Sequence, residues 1–289
     1  MVGGGGRLGQ QVVANLRARG EQVRVVVRDA ERARRTLGND ADVVAADVRS
    51  PAALRPALQG ATVVVSAVHG FLDGRGAGPA DVDERGNANL IDAARTAGAD
   101  VVLVSVVGAS PTSPADLFRA KFAAEQRLRA SGVDWTIVRA SAYLETWLHI
   151  LTTTAGTSGR PLVFGRGNAP IAFVSTSDVA GVVADAATDP GLRSQLLEVA
   201  GSPLTMNELA GALQAARGWT GSVRHLPRPV LRAMSVLARP VRPAFARQNQ
   251  MALAMDTGQL TGLAATPQPD SRTPRSLADV LATVSRTGS

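Results

Sequence analysis

Short runs of β-branched residues alternate with stretches of helical period through the first half of this chain, and that alternation constrains the fold more than any other feature. The runs are Val23–Val27, Val43–Ala46, Thr62–Ser66, Val101–Ser105 and Trp135–Arg139. They are short and continuously apolar, as strands covered on both faces must be. The helical stretches are Leu8–Arg19, Pro51–Leu58, Asn87–Ala97 and Pro114–Ala130. Strands alternating with helices imply βαβ units and a parallel sheet with helices on both faces. The expected fold class is therefore α/β, a Rossmann-like doubly wound parallel sheet. Residues 1–150, with 171–200 returning to them, form the expected core. Residues 201–289 read as a smaller, mainly helical C-terminal region, with a mobile Thr/Pro/Ser stretch near 261–276.

The chain opens MVGGGGRLGQQVV. Glycine weakens helices and strands alike, so four in a row before a helix need a reason. Gly3, Gly6 and Gly9 fit G-x-x-G-x-x-G, and Gly4, Gly6 and Gly9 fit G-x-G-x-x-G. Either spacing makes a turn at a helix N-terminus, where backbone N–H groups of residues such as Arg7 and Leu8 meet a diphosphate. The next strand ends in VVVRDAERA, at the spacing where such a unit reads the cofactor ribose. An acidic residue there favours NAD, whereas arginine pairs with the 2′-phosphate of NADP. The residue is Arg28, so NADP is expected over NAD, and Asp29 reads as the cap of the following helix. Only Met1 and Val2 precede the turn, where a buried strand of about five residues belongs. The first strand is expected to be truncated: either the gene product begins upstream or another segment fills the gap. Low stability and low cofactor affinity would follow.

Composition narrows the class. No cysteine is present, which excludes a disulfide framework and thiolate chemistry. The apolar runs are too short for a transmembrane helix and no signal peptide fits, so a cytoplasmic protein is expected. Lys and Arg total 31, and Lys121 is the sole lysine, so the net charge of +7 comes almost entirely from arginine. That bias, with abundant Ala, Gly and Val, reads as a GC-rich genome, and no nucleic-acid partner is expected. His69, His149 and His225 are scattered and no metal is expected, although His69 follows the third strand and could reach a cofactor.

The segments GGGGRLGQQVV, VVVRDAERA, ADVRSPAALRPALQGATVVVSAV, NLIDAARTAGADVVLVSVVGA, AEQRLRASGVDWTIVRAS, FVSTSDVAGVVADAATDP and LLEVAGSPLTMNELAGAL occur in this order. Together they resemble the NmrA-like, atypical group of short-chain dehydrogenase/reductases over roughly residues 1 to 215. The resemblance implies that Asp47 and Val48 lie beside the adenine and that Ser66, Ala67 and Val68 run under the cofactor ribose. It also implies that Ser105 ends a strand near the nicotinamide. The family often has Arg-Pro where this chain has Arg139-Ala140. The best-known members of the wider group use a Tyr-x-x-x-Lys pair, but the tyrosine position here holds Leu117, and the only tyrosine, Tyr143, lies downstream. Related reductases without the tyrosine keep a lysine equivalent to Lys121.

Lys121 also stands out without the family. The segment SPADLFRAKFAAEQRLRASG predicts a capping box at Ser113 and Asp116, with Pro114 as first helical residue. Leu117, Lys121, Ala124 and Leu128 then share one stripe. An ammonium on an apolar stripe is costly unless paired or open to a polar cavity. It either bonds the nicotinamide ribose or supplies a proton, or else it pairs with Glu125 one turn on. The candidate catalytic residues are thus Lys121 and Ser105.

The expected function is an NADP(H)-dependent oxidoreductase transferring hydride to a small organic carbonyl, enone or quinone. Tyr143, Trp147, His149 and Phe164 are candidate walls of a substrate cleft between the core and segments 141–170 and 201–260. The alternative is a non-catalytic NADP sensor acting through a protein partner. No acidic residue stands between Glu208 and Asp256, while seven arginines do. That segment could lie on an anionic membrane or grip nucleic acid; its plainer reading is a solvated helical cap.

Overall fold

The computed structural model describes residues 1–38, 40–71, 77–258 and 275–286. The first half alternates as the sequence predicts: α1 (Arg7–Ala18), β1 (Val25–Val27), α2 (Ala30–Leu37), β2 (Val43–Ala45), α3 (Pro51–Leu58) and β3 (Val63–Ser66). A π-helical segment, Ala80–Gly86, then runs directly into α4 (Asn87–Ala97), followed by β4 (Asp100–Val106), α5 (Asp116–Arg129) and β5 (Trp135–Ala140). Next come α6 (Leu144–Ala155), β6 (Leu162–Phe164), β7 (Pro170–Ala172), α7 (Thr176–Thr188) and β8 (Gln195–Val199). The remainder is β9 (Pro203–Thr205), α8 (Met206–Arg217), β10 (Arg224–Leu226), α9 (Arg228–Leu237), α10 (Pro243–Asp256) and α11 (Leu277–Arg286).

Two units separate: Met1–Arg139 with Thr176–Leu197, and Ala140–Ser175 with Glu198–Ser289. In the first, β3, β4, β5 and β8 are hydrogen-bonded in that order, and β1 pairs with β2 in parallel register, Val27 opposite Ala45. Val2 bridges both groups, in parallel with Val26 on one side and Ser66 on the other. Its N–H donates to the Val65 carbonyl (2.8 Å), its own carbonyl accepts from Ala67 (3.0 Å), and Gly3 donates to Val26 (3.0 Å). Met1–Gly3 therefore occupies the first-strand slot, and the sheet is Rossmann-like and doubly wound. Val2, Val26, Leu54, Val64, Leu90, Leu103, Leu128 and Ile137 are each no more than 1% exposed within one core cluster.

Local chemistry explains the ends. Asp29 caps α2 by accepting from the Arg32 N–H at 2.9 Å, as the sequence predicts. The capping box predicted at Ser113 and Asp116 does not form. The Ser113 hydroxyl instead accepts from the Ala115 N–H in a tight turn, and α5 begins at Asp116 with Ala115 as N-cap. A Ser hydroxyl that bonds two residues on competes with capping, and here the local turn wins. In the second unit β6 pairs with β10 and β7 with β9. There Thr205 and Glu208 form a true capping box on α8.

Candidate functional site

The glycine stretch separates into residues with different duties. Gly3 has φ +86°, and a Cβ there would lie 2.9 Å from the backbone carbon and oxygen of Ala67. A Cβ on Gly9 would lie 2.3 Å from the Gly3 carbonyl oxygen and 2.6 Å from Gly4 Cα. Both clashes are with backbone, so these positions need glycine for packing alone. A Cβ on the buried Gly4 would lie 2.7 Å from a Val25 methyl and 3.3 Å from Met1 Cγ, whereas one on Gly5 would meet only Val27 at 3.4 Å. Gly6 differs: it is exposed, and no protein atom comes closer than 3.6 Å to a Cβ built there. Backbone closes Gly3 and Gly9 and buried side chains close Gly4, so the G-x-x-G-x-x-G and G-x-G-x-x-G spacings both begin and end on packed glycines. Gly6 is also the N-cap of α1, in extended conformation and with no side chain bonded to the helix N-terminus. An uncapped helix end carries donors and positive potential, and the bare Gly6 leaves its approach clear.

The other expected residues stand at the carboxyl ends of the strands beside this turn. Arg28 is exposed and lies one residue past β1, while Asp47 lies two past β2. Asp47 is gripped by Arg49, whose Nε and Nη2 reach its carboxylate oxygens at 3.0 and 2.6 Å. That bond, helped by the charges of Arg49 and Arg28, holds the Asp47 carboxyl below the usual carboxylate range. Val48 is buried against Gly86, whose own Cβ would sit 2.7 Å from a Val48 methyl. At the end of β3, Ser66 is fully buried and donates its hydroxyl to Asn87 Oδ1 at 2.6 Å. Ala67 and Val68, which follow it, are partly exposed. His69 is exposed.

Lys121 and Ser105 are both occupied. The Lys121 ammonium is enclosed by the carbonyls of Val68 (2.9 Å) and Val104 (3.0 Å) and by Asp83 Oδ1 (3.1 Å). Its side chain is 5% exposed and that of Asp83 is 0% exposed. The two carbonyls accept hydrogen bonds from the ammonium, while Asp83 Oδ1 faces it as an ion pair without a hydrogen bond of its own. Asp83 also accepts from the Gly70 N–H at 2.8 Å, so the pair ties the residues after β3 to α5 and β4. Ser105 donates to Glu125 Oε1 at 2.5 Å, and Glu125 receives Arg139 in a two-pronged bond (2.9 and 2.7 Å). The alternative Lys121–Glu125 pair is therefore not formed; each partner takes another element. Sequence reasoning missed Asp83 because it lies on a π-helical segment that no regular period announces.

In the second unit, Trp147 and Phe164 meet edge to face at 6.5 Å and line a small apolar pocket with Ile171, Met206 and Met255. The pocket encloses about 10 Å³, room for about one water. Tyr143 is the N-cap of α6 and His149 is exposed on that helix; neither lines the pocket. Asp256 also lines the pocket; it is buried and accepts from the N–H groups of Arg166 and Gly167 (both 2.9 Å) and from Arg228 Nε (2.5 Å). Among the described residues no three His, Asp or Glu side chains form a metal-binding group.

The model of the NAD(P)H-binding family matches residues 3–190. An NAD(P)H azoreductase from Xenophilus azovorans is 31% identical over 220 residues, covering 75% of this chain and 73% of that protein. Among solved structures, an NADPH-dependent quinone oxidoreductase from Escherichia coli in complex with NADPH superposes with a TM-score of 0.78 at 23% identity, covering 98% of both chains. A Citrobacter sp. triphenylmethane reductase complexed with NADP(H) also gives 0.78, at 22% identity, with 98% of both chains covered. At those identities the likeness to the two structures speaks for the fold.

Proposed function

This chain belongs to the NAD(P)H-binding family, of the atypical short-chain dehydrogenase/reductase type, and on that premise we propose that it is an oxidoreductase that uses NADPH to reduce a small conjugated acceptor such as a quinone or enone. The observation that carries the reading is the glycine turn: Gly3 and Gly9 are closed by packing, while Gly6 is left bare over an uncapped helix end. That arrangement fits a diphosphate. Arg28, beside Asp47 and Arg49 at the ends of β1 and β2, supplies the charge for a 2′-phosphate. The backbone of Ser66, Ala67 and Val68 runs along the ribose, held in place by Lys121 and Asp83.

The bound dinucleotide supplies the hydride. The protein offers little for the accompanying proton. The tyrosine position is Leu117, the Lys121 ammonium is buried against two carbonyls and Asp83, and Ser105 donates inward to Glu125. A simple ketone would need an acid beside it, because its reduced form is a strongly basic alkoxide. A quinone gives a delocalised phenolate-like anion that takes its proton from water. The azoreductase relative, 31% identical over the 220 aligned residues, also acts on a conjugated acceptor by its name.

The test is calorimetric titration with NADPH and NADH, followed by NADPH oxidation against a panel of quinones, enones, azo dyes and simple ketones. Tighter binding of NADPH, with turnover confined to conjugated acceptors, is expected. Binding without turnover across the whole panel would instead point to a cofactor sensor.

A further inference from the structure

A water-facing helix normally turns its charged residues outward and its apolar stripe inward. The helix α9 departs from this at its C-terminal end. Leu231 is its only buried residue, while Val236 and Leu237 are 69% and 76% exposed. The turn that follows adds Val241 at 80%, and the start of α10 adds Phe245 at 39%. With Val230, these are all the large apolar side chains that stand exposed among the described residues, and they fall within sixteen positions. Scattered single apolar residues need no explanation, but a cluster does.

The charge along the segment that carries the cluster has one sign. Arg232, Arg239 and Arg242 are exposed at its margin, and none of the three has an ion-pair partner among the described residues. No carboxylate occurs between Glu208 and Asp256. A second copy of this surface would set arginines against arginines. A folded protein partner would require pockets or acceptors that fix register, and side chains more than two-thirds exposed offer neither. A fluid anionic surface needs only what is present, aliphatic groups that insert and arginines that meet phosphates at the interface.

We propose that the α9–α10 corner, from Val230 to Phe245, is a docking surface for an anionic lipid bilayer, with Val236, Leu237, Val241 and Phe245 inserting and Arg232, Arg239 and Arg242 meeting the headgroups. Binding is peripheral and reversible, because four apolar side chains on one helix end, a turn and the start of the next helix cannot anchor a protein permanently. The proposal is independent of the cofactor site in the other unit.

The full-length protein is tested by co-sedimentation with vesicles of phosphatidylcholine alone and of phosphatidylcholine and phosphatidylglycerol in equal parts. Preferential binding to the anionic vesicles is expected, weakening as salt rises from about 10 mM to about 1 M and the screening length falls from about 30 to about 3 Å. Replacing Arg232, Arg239 and Arg242 together by Gln should lower partitioning about a hundredfold, roughly fivefold for each charge. Val236→Ser with Leu237→Ser should lower it at least as strongly as the loss of one arginine, with the melting temperature unchanged. Absence of binding to anionic vesicles at low salt overturns the proposal, as does binding that ignores both sets of substitutions. Concentration-dependent dimerisation in sedimentation velocity, abolished by the Val236 and Leu237 changes, would overturn it in favour of a second copy.

Discussion

Gly6→Ala and Gly9→Ala, two substitutions in one turn, should have opposite effects, and the structure sets their sizes. At Gly9 the added methyl would lie 2.3 Å from the Gly3 oxygen and 2.6 Å from Gly4 Cα. Neither atom belongs to a flexible side chain, so α1 must move away from the turn. Overpacking costs about 1–3 kcal/mol, and a backbone-on-backbone clash belongs near the top of that range. At roughly 2–4 °C per kcal/mol for a chain of this size, Gly9→Ala should lower the melting temperature by about 6–12 °C. At Gly6 the methyl would meet nothing within 3.6 Å, and φ is −80°. Alanine is a poorer N-cap than glycine by about 0.5–1 kcal/mol. It also restricts the unfolded chain, a gain of about 0.4–1 kcal/mol. The two nearly cancel, so stability should change by less than about 0.5 kcal/mol. The same methyl would stand where a diphosphate oxygen approaches. Loss of one charge-assisted bond, about 1.5–3 kcal/mol, should weaken NADPH binding about 10- to 100-fold. Scanning fluorimetry and calorimetric titration on both variants read the two effects separately. Parent-like NADPH affinity in Gly6→Ala would refute the cradle, and parent-like stability in Gly9→Ala would refute the packing argument.

Arg28→Ala should remove most of the preference for NADPH over NADH, about 10- to 100-fold for a lost arginine–phosphate bond, measured by titrating both cofactors. Equal affinities in the parent would sink that assignment. Lys121→Met leaves Asp83 buried without a cation and should cost about 3–5 kcal/mol in urea unfolding, recovered in part when Asp83→Asn is added. If Lys121→Met unfolds like the parent, the pair is not what secures the residues after β3. Asp256→Ala removes the acceptor of the Arg166 and Gly167 N–H groups and the partner of Arg228, and should destabilise by a similar amount. Proteolysis should then cut first within residues 165–169, and an unchanged digestion pattern would count against that role.

The strands and helices of the first unit were legible because each has a regular period and a chemical boundary. Asp29 shows how directly a cap can be read, whereas Ser113 shows the limit: a hydroxyl with two acceptable bonds does not declare which one it makes. The site was legible in its backbone parts and much less in its side chains. Gly3 and Gly9 follow from spacing, but the partners of Lys121 depend on the π-helical segment and on which carbonyls end the strands. Glu125 lies one turn from Lys121, at the spacing of an alternative ion pair, yet Arg139 on β5 claims it from a distance in sequence that no local pattern reveals. Asp256 and its loop are likewise joined only by the fold, 89 and 90 residues apart.

The Ala80–Gly86 segment holds an extra residue in its turn, and that surplus has a bearing on how the chain tolerates insertions and deletions. Helical residues are set about 100° apart, so removing one residue between Asp83 and Asn87 would restore a regular helix and swing Asp83 by that angle. Its carboxylate would leave Lys121 and Gly70 while α4 itself stayed intact. A length change that would be harmless in most helices would here unlatch the residues after β3. The spacing from Asp83 to Asn87 is therefore a feature of the site rather than of the helix, and length in this stretch should be as constrained as residue identity.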